Sequence, residues 1–419
     1  MKTFLILGAG TAGTMISRKM VKTLDPHEWQ VVVVDKDPNH YYQPGYLFLP
    51  FGYYTEKDVI KPKKNFIPSQ VKYISSDLEI IEPKNNQVRL TSGEVIHYDY
   101  LVISTGADIY PQETEGLLDG GWRQNIFDFY TVEGGLAMKK FLDTWQGGRM
   151  VINVVENPIK CPVAPLEFLF LADDYFTKKG IRSKVDLIYA TPLSGAFTKP
   201  IASAMLKELL EKKNIHIEPD FAVGEVDAGK NVIRSYDERE IGYDVLVSVP
   251  TNMGAEVIGR SGLGDELNFV PTNKETLQSK QYENIFVLGD AANIPASKAG
   301  AVIHFQMETA FHNIMAHIQG KPMPGAFDGH SLCYIESGFN KAILIDFSYD
   351  QEPLPGTYPL PGVGPFSLLK ETGINHLGKL AFKEMYWNLM LKGIEVPLPS
   401  KFSLVGKHKV APAKLTAEG

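Results

Sequence analysis

Apolar and polar positions along this chain follow a repeating strand–helix rhythm. Residues 3–7 read as a strand, apolar from Phe4 onward, that runs into glycines, and a helix follows through Met20. Residues 31–34 are four valines ending at Asp35. Runs without alternation fit strands buried in a parallel sheet. Residues 71–82 and 88–98 alternate instead and predict antiparallel strands with Ser92-Gly93 as their turn. Residues 100–106 are another buried strand ending in glycine. A second unit repeats the plan, with a strand at 150–155, a helix at 164–178, a strand at 184–189 and a helix at 201–213. Then come a buried strand at 284–290 and a helix at 299–319. Proline and glycine in 350–366 predict a linker or loop, and 367–392 reads as a last helical stretch.

This pattern predicts an α/β protein with two Rossmann-like domains and a C-terminal region. The expected units are 1–110, 111–275 carrying Cys161, 276–350 returning to the first domain and carrying Cys333, and 351–419. A chain of 419 residues exceeds one core, and 44% apolar with 22% charged residues is ordinary for a globular protein. The formal charge of −7 gives no reason to expect nucleic-acid binding. That charge is uneven: residues 361–419 hold eight Lys and four Glu, a net +4, which leaves −11 on the rest. A basic tail suits either an anionic surface such as lipid headgroups or plain solvation. Two cysteines make no disulfide framework. The start lacks an export signal, no apolar run is long enough to span a bilayer, and no residue cluster suggests a metal.

The first strand leads into Gly8, Gly10 and Gly13, the G-x-G-x-x-G pattern. Gly8 permits the turn, Gly10 lets backbone approach a pyrophosphate, and Gly13 lets the helix pack on the strand. Asp35, 22 residues past Gly13, is placed to accept from a ribose hydroxyl. After the strand at 150–155 a second such loop is missing. Cys161 stands in that stretch instead, followed by Glu167.

Thr105-Gly106 and Gly289-Asp290 end apolar strands and resemble the later fingerprints of two-dinucleotide-domain flavoproteins. The resemblance implies FAD, with Asp290 on its ribityl chain. Lys298 and the helix start at Ala299 would then face the flavin and stabilise its reduced charge. The segments around Cys161 (Ile159 to Phe168) and Cys333 (Leu332 to Gly338) resemble the redox-cysteine segments of sulfide:quinone oxidoreductases. Ala299–Ile303 and Ala381–Trp387 fit as well, so the likeness covers residues 1–395. It implies that Cys333 stands at the flavin and passes electrons, that Cys161 holds the growing sulfur chain, and that Glu167 handles protons. A paired thiol couple suits sulfide, because hydrosulfide attacking a disulfide yields a persulfide and a thiolate.

Some family positions differ. Tyr130 stands where many relatives carry a third cysteine, which in some attaches FAD, so FAD is expected to be non-covalent here. Gly134 and Ala196 stand where relatives have histidines. The resemblance also implies a quinone between Leu332 and Phe382, with Glu336 or Lys298 able to supply protons, and a monotopic membrane protein; the lack of an export signal favours its cytoplasmic side. Residues 376–392 fit a helix lying in the interface with Tyr386 and Trp387 at headgroup level. They also fit a helix docked on the core or at a homo-oligomer contact. Alternative readings are the flavoprotein subunit of a flavocytochrome c sulfide dehydrogenase and a type II NADH:quinone oxidoreductase. The missing second glycine loop argues against the latter.

Overall fold

The computed structural model describes residues 1–394 and 399–408. Part of the basic tail therefore lies outside the described residues. The first unit is a five-stranded parallel sheet ordered Ile285–Val287, Tyr100–Ile103, Lys2–Leu7, Trp29–Val34, Lys72–Ile74. Phe4 to Leu7 are fully buried, as a strand covered on both faces requires. The helix Thr11–Thr23 follows the glycine turn directly.

One antiparallel expectation changes. Residues 71–82 are not one strand: Lys72–Ile74 joins the parallel sheet beside Val32–Val34. Ser75 to Asp77 interrupt the run, and Leu78–Glu82, Gln87–Leu90 and Val95–His97 form a separate antiparallel sheet.

The second unit is also a five-stranded parallel sheet, ordered Ile126–Phe127, Val245–Val249, Gly148–Val154, Val185–Ala190, Ile215–Glu218. The helix Ala164–Lys178 follows its central strand, with a stretch of loop between them.

The C-terminal part departs most from expectation. Residues 350–366 are not simply a linker. Gly356–Leu360 and Gly364–Leu368 form a hairpin in a four-stranded sheet with Ser331–Gly338 and Lys341–Phe347. A boundary at residue 350 would therefore cut through this sheet. The strand of Cys333 pairs here, not with the flavin-type sheet. Two of the five prolines in 350–366, Pro359 and Pro365, sit opposite each other in the hairpin; Pro359 is on the edge strand, and Pro365 lies where its strand has no second neighbour, so a missing donor is tolerated at both. The turn between the Cys333 strand and its partner uses Phe339 and Asn340, both at positive φ, which matches the strand twist. The last helix is Gly373–Asn388, capped by the Thr372 hydroxyl on the Asn375 N–H. Gly378 lets it lie flush on the sheet, since a Cβ there would come within 2.6 Å of the Phe366 ring.

Candidate active site

The glycine loop, Asp35, Thr105-Gly106 and Gly289-Asp290 all border one cleft of about 390 Å³. Gly10 has open space where a side chain would project, and Gly13 is pressed against the Gly8 carbonyl. Gly10 thus leaves room in the cleft, and the lack of a Cβ at Gly13 lets helix and turn lie close. Thr105 Oγ1 is buried without a partner at the cleft. A buried orphan hydroxyl beside a glycine cradle and a helix N-terminus fits a dinucleotide such as FAD. Asp35 accepts from the Ala9 N–H at 2.6 Å and pairs with the buried Lys63 ammonium at 2.7 Å.

Cys161, Cys333, Glu167, Leu332 and Phe382 border a second cavity of about 370 Å³. The two spaces meet at Tyr46, Tyr130, Lys160 and Asp290, which border both. So 172 positions of chain close up, and both thiols, which are free, share one cavity. Lys298 borders this cavity rather than the nucleotide cleft. Its ammonium donates to the Asp290 and Ala292 carbonyls at 2.7 and 2.9 Å and lies 3.8 Å from the Phe269 ring centre. Its own carbonyl accepts from the Cys161 N–H at 2.7 Å.

Cys161 has φ +47°, a left-handed conformation that disfavours any side chain. Its neighbours over-determine it. Besides the Lys298 carbonyl, Asn252 holds the Lys160 N–H and the Ala164 N–H closes on the Cys161 carbonyl. Strain kept at a cysteine points to a need for that side chain there. The thiol sits at the start of its helix, where the Ala164 and Val163 N–H groups favour a sulfur anion. Burial outweighs them: it pushes the Cys161 thiol up to about 12, helped by Glu167 and opposed by Lys379. Burial raises Cys333 as well, with the charge of Cys161 next.

Glu167 is buried one turn into that helix and accepts from the Glu336 N–H at 2.8 Å, on the strand of Cys333. This bond ties the two cysteine elements together. Its other oxygen has no partner. Glu167 pairs with the Lys379 ammonium, which also donates to the Tyr334 carbonyl at 3.0 Å. Burial raises the Glu167 carboxyl above the ordinary range, against the pull of Lys379. Glu336 is raised by burial too, and His376 sits 3.0 Å from it, nearer the surface. Cysteine, carboxyl, ammonium, carboxyl and imidazole thus form one chain of ionisable groups leading outward.

Lys379 is the residue that sequence reasoning missed. In the sequence it is one of three lysines, with Lys383 and Lys392, interspersed along the apolar stretch 376–392. Yet Asn375, Lys379, Phe382 and Tyr386 recur at three or four positions and share one inward stripe. Lys63 and His376 carried no comparable signal. Tyr386 and Trp387 are each 1% exposed, so neither stands at a headgroup level. They pack on the flavin-type unit, where Trp387 stacks on Phe66. The outward apolar positions are others: Leu377 (63% exposed), Val363 (78%) and Val405 (65%). Tyr130 lies beside Cys161, its hydroxyl 3.5 Å from that carbonyl.

No family profile matches the chain. It is 30% identical over 395 residues to the mitochondrial sulfide:quinone oxidoreductase of Dictyostelium discoideum, covering 93% of this chain and 86% of the relative. The mitochondrial sulfide:quinone oxidoreductase of Mus musculus is 28% identical over 396 residues, with 93% and 86% covered. Among solved structures, the sulfide:quinone oxidoreductase of Aquifex aeolicus superposes with a TM-score of 0.80 at 22% identity, over 94% of this chain and 92% of that one.

Proposed function

The chain belongs to the sulfide:quinone oxidoreductase family, and from that premise we propose that it oxidises sulfide at Cys161 and Cys333, with FAD as resident cofactor and a quinone as final acceptor. The observation that carries the cysteine assignment is the shared cavity of both thiols, Glu167 and the apolar walls Leu332 and Phe382. When bound, FAD supplies a two-electron acceptor for the thiols and a two-electron donor for the quinone.

As free thiols both cysteines are poor thiolates at neutral pH, so hydrosulfide is the nucleophile in the first step. Glu167 takes a proton from hydrogen sulfide. Hydrosulfide adds to the Cys161 sulfur of the oxidised pair, the S–S bond breaks, Cys161 keeps a persulfide and Cys333 leaves as thiolate. Cys161 is the part-exposed member of the pair and Cys333 the buried one, which favours attack on Cys161. Lys379 steadies the anion on either sulfur and holds Glu167 in reach. Over the cycle, sulfide loses two electrons and two protons, and the quinone gains two of each. For the sulfur chain to lengthen, the Cys161 persulfide and the Cys333 thiolate must first be joined with loss of two electrons to the acceptor; a second hydrosulfide then attacks the bridging sulfur, Cys333 leaves again as thiolate, and Cys161 keeps a chain one sulfur longer.

Leu332 and Phe382 suit a flat apolar acceptor, and His376 with Glu336 offers protons from the outside. Among the described residues no helix is long and apolar enough to cross a membrane. Exposed Leu360, Val363 and Leu377 lie on the hairpin and helix that wall the cavity, which supports attachment to a membrane surface where quinone is dissolved.

The test is anaerobic titration of the purified protein with sulfide, and separately with NADH, watching the flavin spectrum. Sulfide is expected to bleach it and a quinone analogue to restore it. Cys161→Ser and Cys333→Ser should each lower turnover by on the order of 10³-fold or more while FAD stays bound. Bleaching by NADH alone would refute the proposal.

A further inference from the structure

One hydrogen-bonded chain joins the nucleotide cleft to the last helix. Thr11 opens the glycine-loop helix and borders the cleft. Its Oγ1 lies 2.8 Å from the Tyr386 hydroxyl, 375 positions away, and that hydroxyl lies 2.7 Å from His40 Nε2. His40 is 2% exposed and borders the cleft, and its Nδ1 has no hydrogen-bond partner of normal geometry. Burial, then the Lys63 ammonium, pull its pKa down to about 3, against a smaller upward pull from the Ala9 carbonyl. The imidazole is therefore neutral, with one donor and one acceptor nitrogen. A lone pair on Nδ1 would face the Ala9 carbonyl and be repelled, so the proton belongs on Nδ1. With that tautomer Tyr386 donates to Nε2 and Thr11 to Tyr386; the Ala9 carbonyl already accepts from the Thr14 hydroxyl at 3.0 Å and gives Nδ1 no bond of normal geometry, so Nδ1–H is left as a buried donor at the cleft.

The helix that carries Tyr386 also carries Lys379 and Phe382. Its other anchors on the flavin-type unit are Lys383 and Trp387, which bind the Asp58 carboxylate and carbonyl at 2.8 and 3.3 Å. We propose that His40 is a ligand of the bound dinucleotide, donating from Nδ1 to a phosphate or ribose oxygen. Tyr386 carries that contact to the last helix, so nucleotide loading steadies the helix bearing Lys379 and Phe382. This rests on the assignment of FAD above. Coupling of this kind is reciprocal: whatever FAD does for the helix, the helix does for FAD.

The experiment combines FAD release, read from free-flavin fluorescence, with amide hydrogen exchange of residues 373–388 in holoprotein and after flavin removal. In the wild type, removing FAD should speed exchange in this helix about tenfold. Tyr386→Phe should release FAD about tenfold faster and erase the difference in exchange. His40→Asn keeps an N–H donor near the Nδ1 position but loses the link to Tyr386, so it should release FAD about as fast as Tyr386→Phe and likewise erase the difference. Unchanged FAD release in Tyr386→Phe, or helix exchange indifferent to FAD in the wild type, overturns the inference alone. A protein that takes up no FAD overturns it together with the proposed function.

Discussion

The two Rossmann-like halves share a plan and differ at one loop. In the first, three residues, 8–10, join the strand Lys2–Leu7 to its helix. In the second, nine residues, 155–163, join Gly148–Val154 to its helix. Each loop needs a residue at positive φ. In the first it is Gly8, at +89°, where no Cβ resists. In the second it is Cys161, at +47°, where a side chain costs about 1–2 kcal/mol. Both helix starts offer backbone N–H groups, one set toward a nucleotide cleft and the other toward a thiol. A helix start tuned for anions can thus serve phosphate or sulfur, and the residue in the loop decides which.

The sharpest way to break this comparison is to spoil the first loop and see whether the second survives. A Cβ at Gly10 has no protein atom within 4 Å, so Gly10→Val adds its bulk at the cleft that Gly10 borders. FAD affinity should fall by about 100-fold or more, beyond a single lost contact, while the thermal midpoint of the flavin-free protein stays put. Gly13→Ala instead meets the Gly8 carbonyl at 1.9 Å and should lower that midpoint. Calorimetry with and without FAD separates the two.

A smaller effect concerns Lys298, which bolts the loops together. Burial holds its ammonium at about 8, below its ordinary 10.5, against Asp290 and Asp265. Between those values the unfolded chain binds more protons than the folded one, so stability rises with pH. Denaturant unfolding of wild type minus Lys298→Met should climb by at most about 1.4 kcal/mol per pH unit from pH 8 to 10. Below pH 7 the difference should be flat. A flat difference throughout would mean that the ammonium is not held in a burying site.

The smallest effect isolates the strain. Cys161→Gly should be more stable than Cys161→Ala by about 1 kcal/mol, because only glycine fits +47° freely. Equal stability would show that the left-handed conformation is relaxed once the thiol is gone, and the contrast with Gly8 would lose its meaning.

Much of this was legible from local pattern. The strands ending at Gly8, Asp35, Thr105 and Asp290 were readable because buried parallel strands are short apolar runs and turns need glycine. Cys161 and Glu167 were readable as a loop residue and a first-turn residue of the following helix, since the helical pattern begins three positions past the cysteine. The hairpin at 356–368 was not, because its prolines and glycines satisfy a loop equally well until a neighbouring strand pairs with them.

The sequence by itself determined which residue types stand at each strand end and that one dinucleotide loop is kept while the other is exchanged for a thiol. Those are properties of segments a few residues long. Only the tertiary structure decided that Cys333 shares a cavity with Cys161, that Lys379 turns inward to Glu167, and that Tyr386 meets Thr11 and His40. Each of these joins side chains separated by more than a hundred positions. Such meetings arise when whole layers bury their apolar faces against one another, and no local period records them.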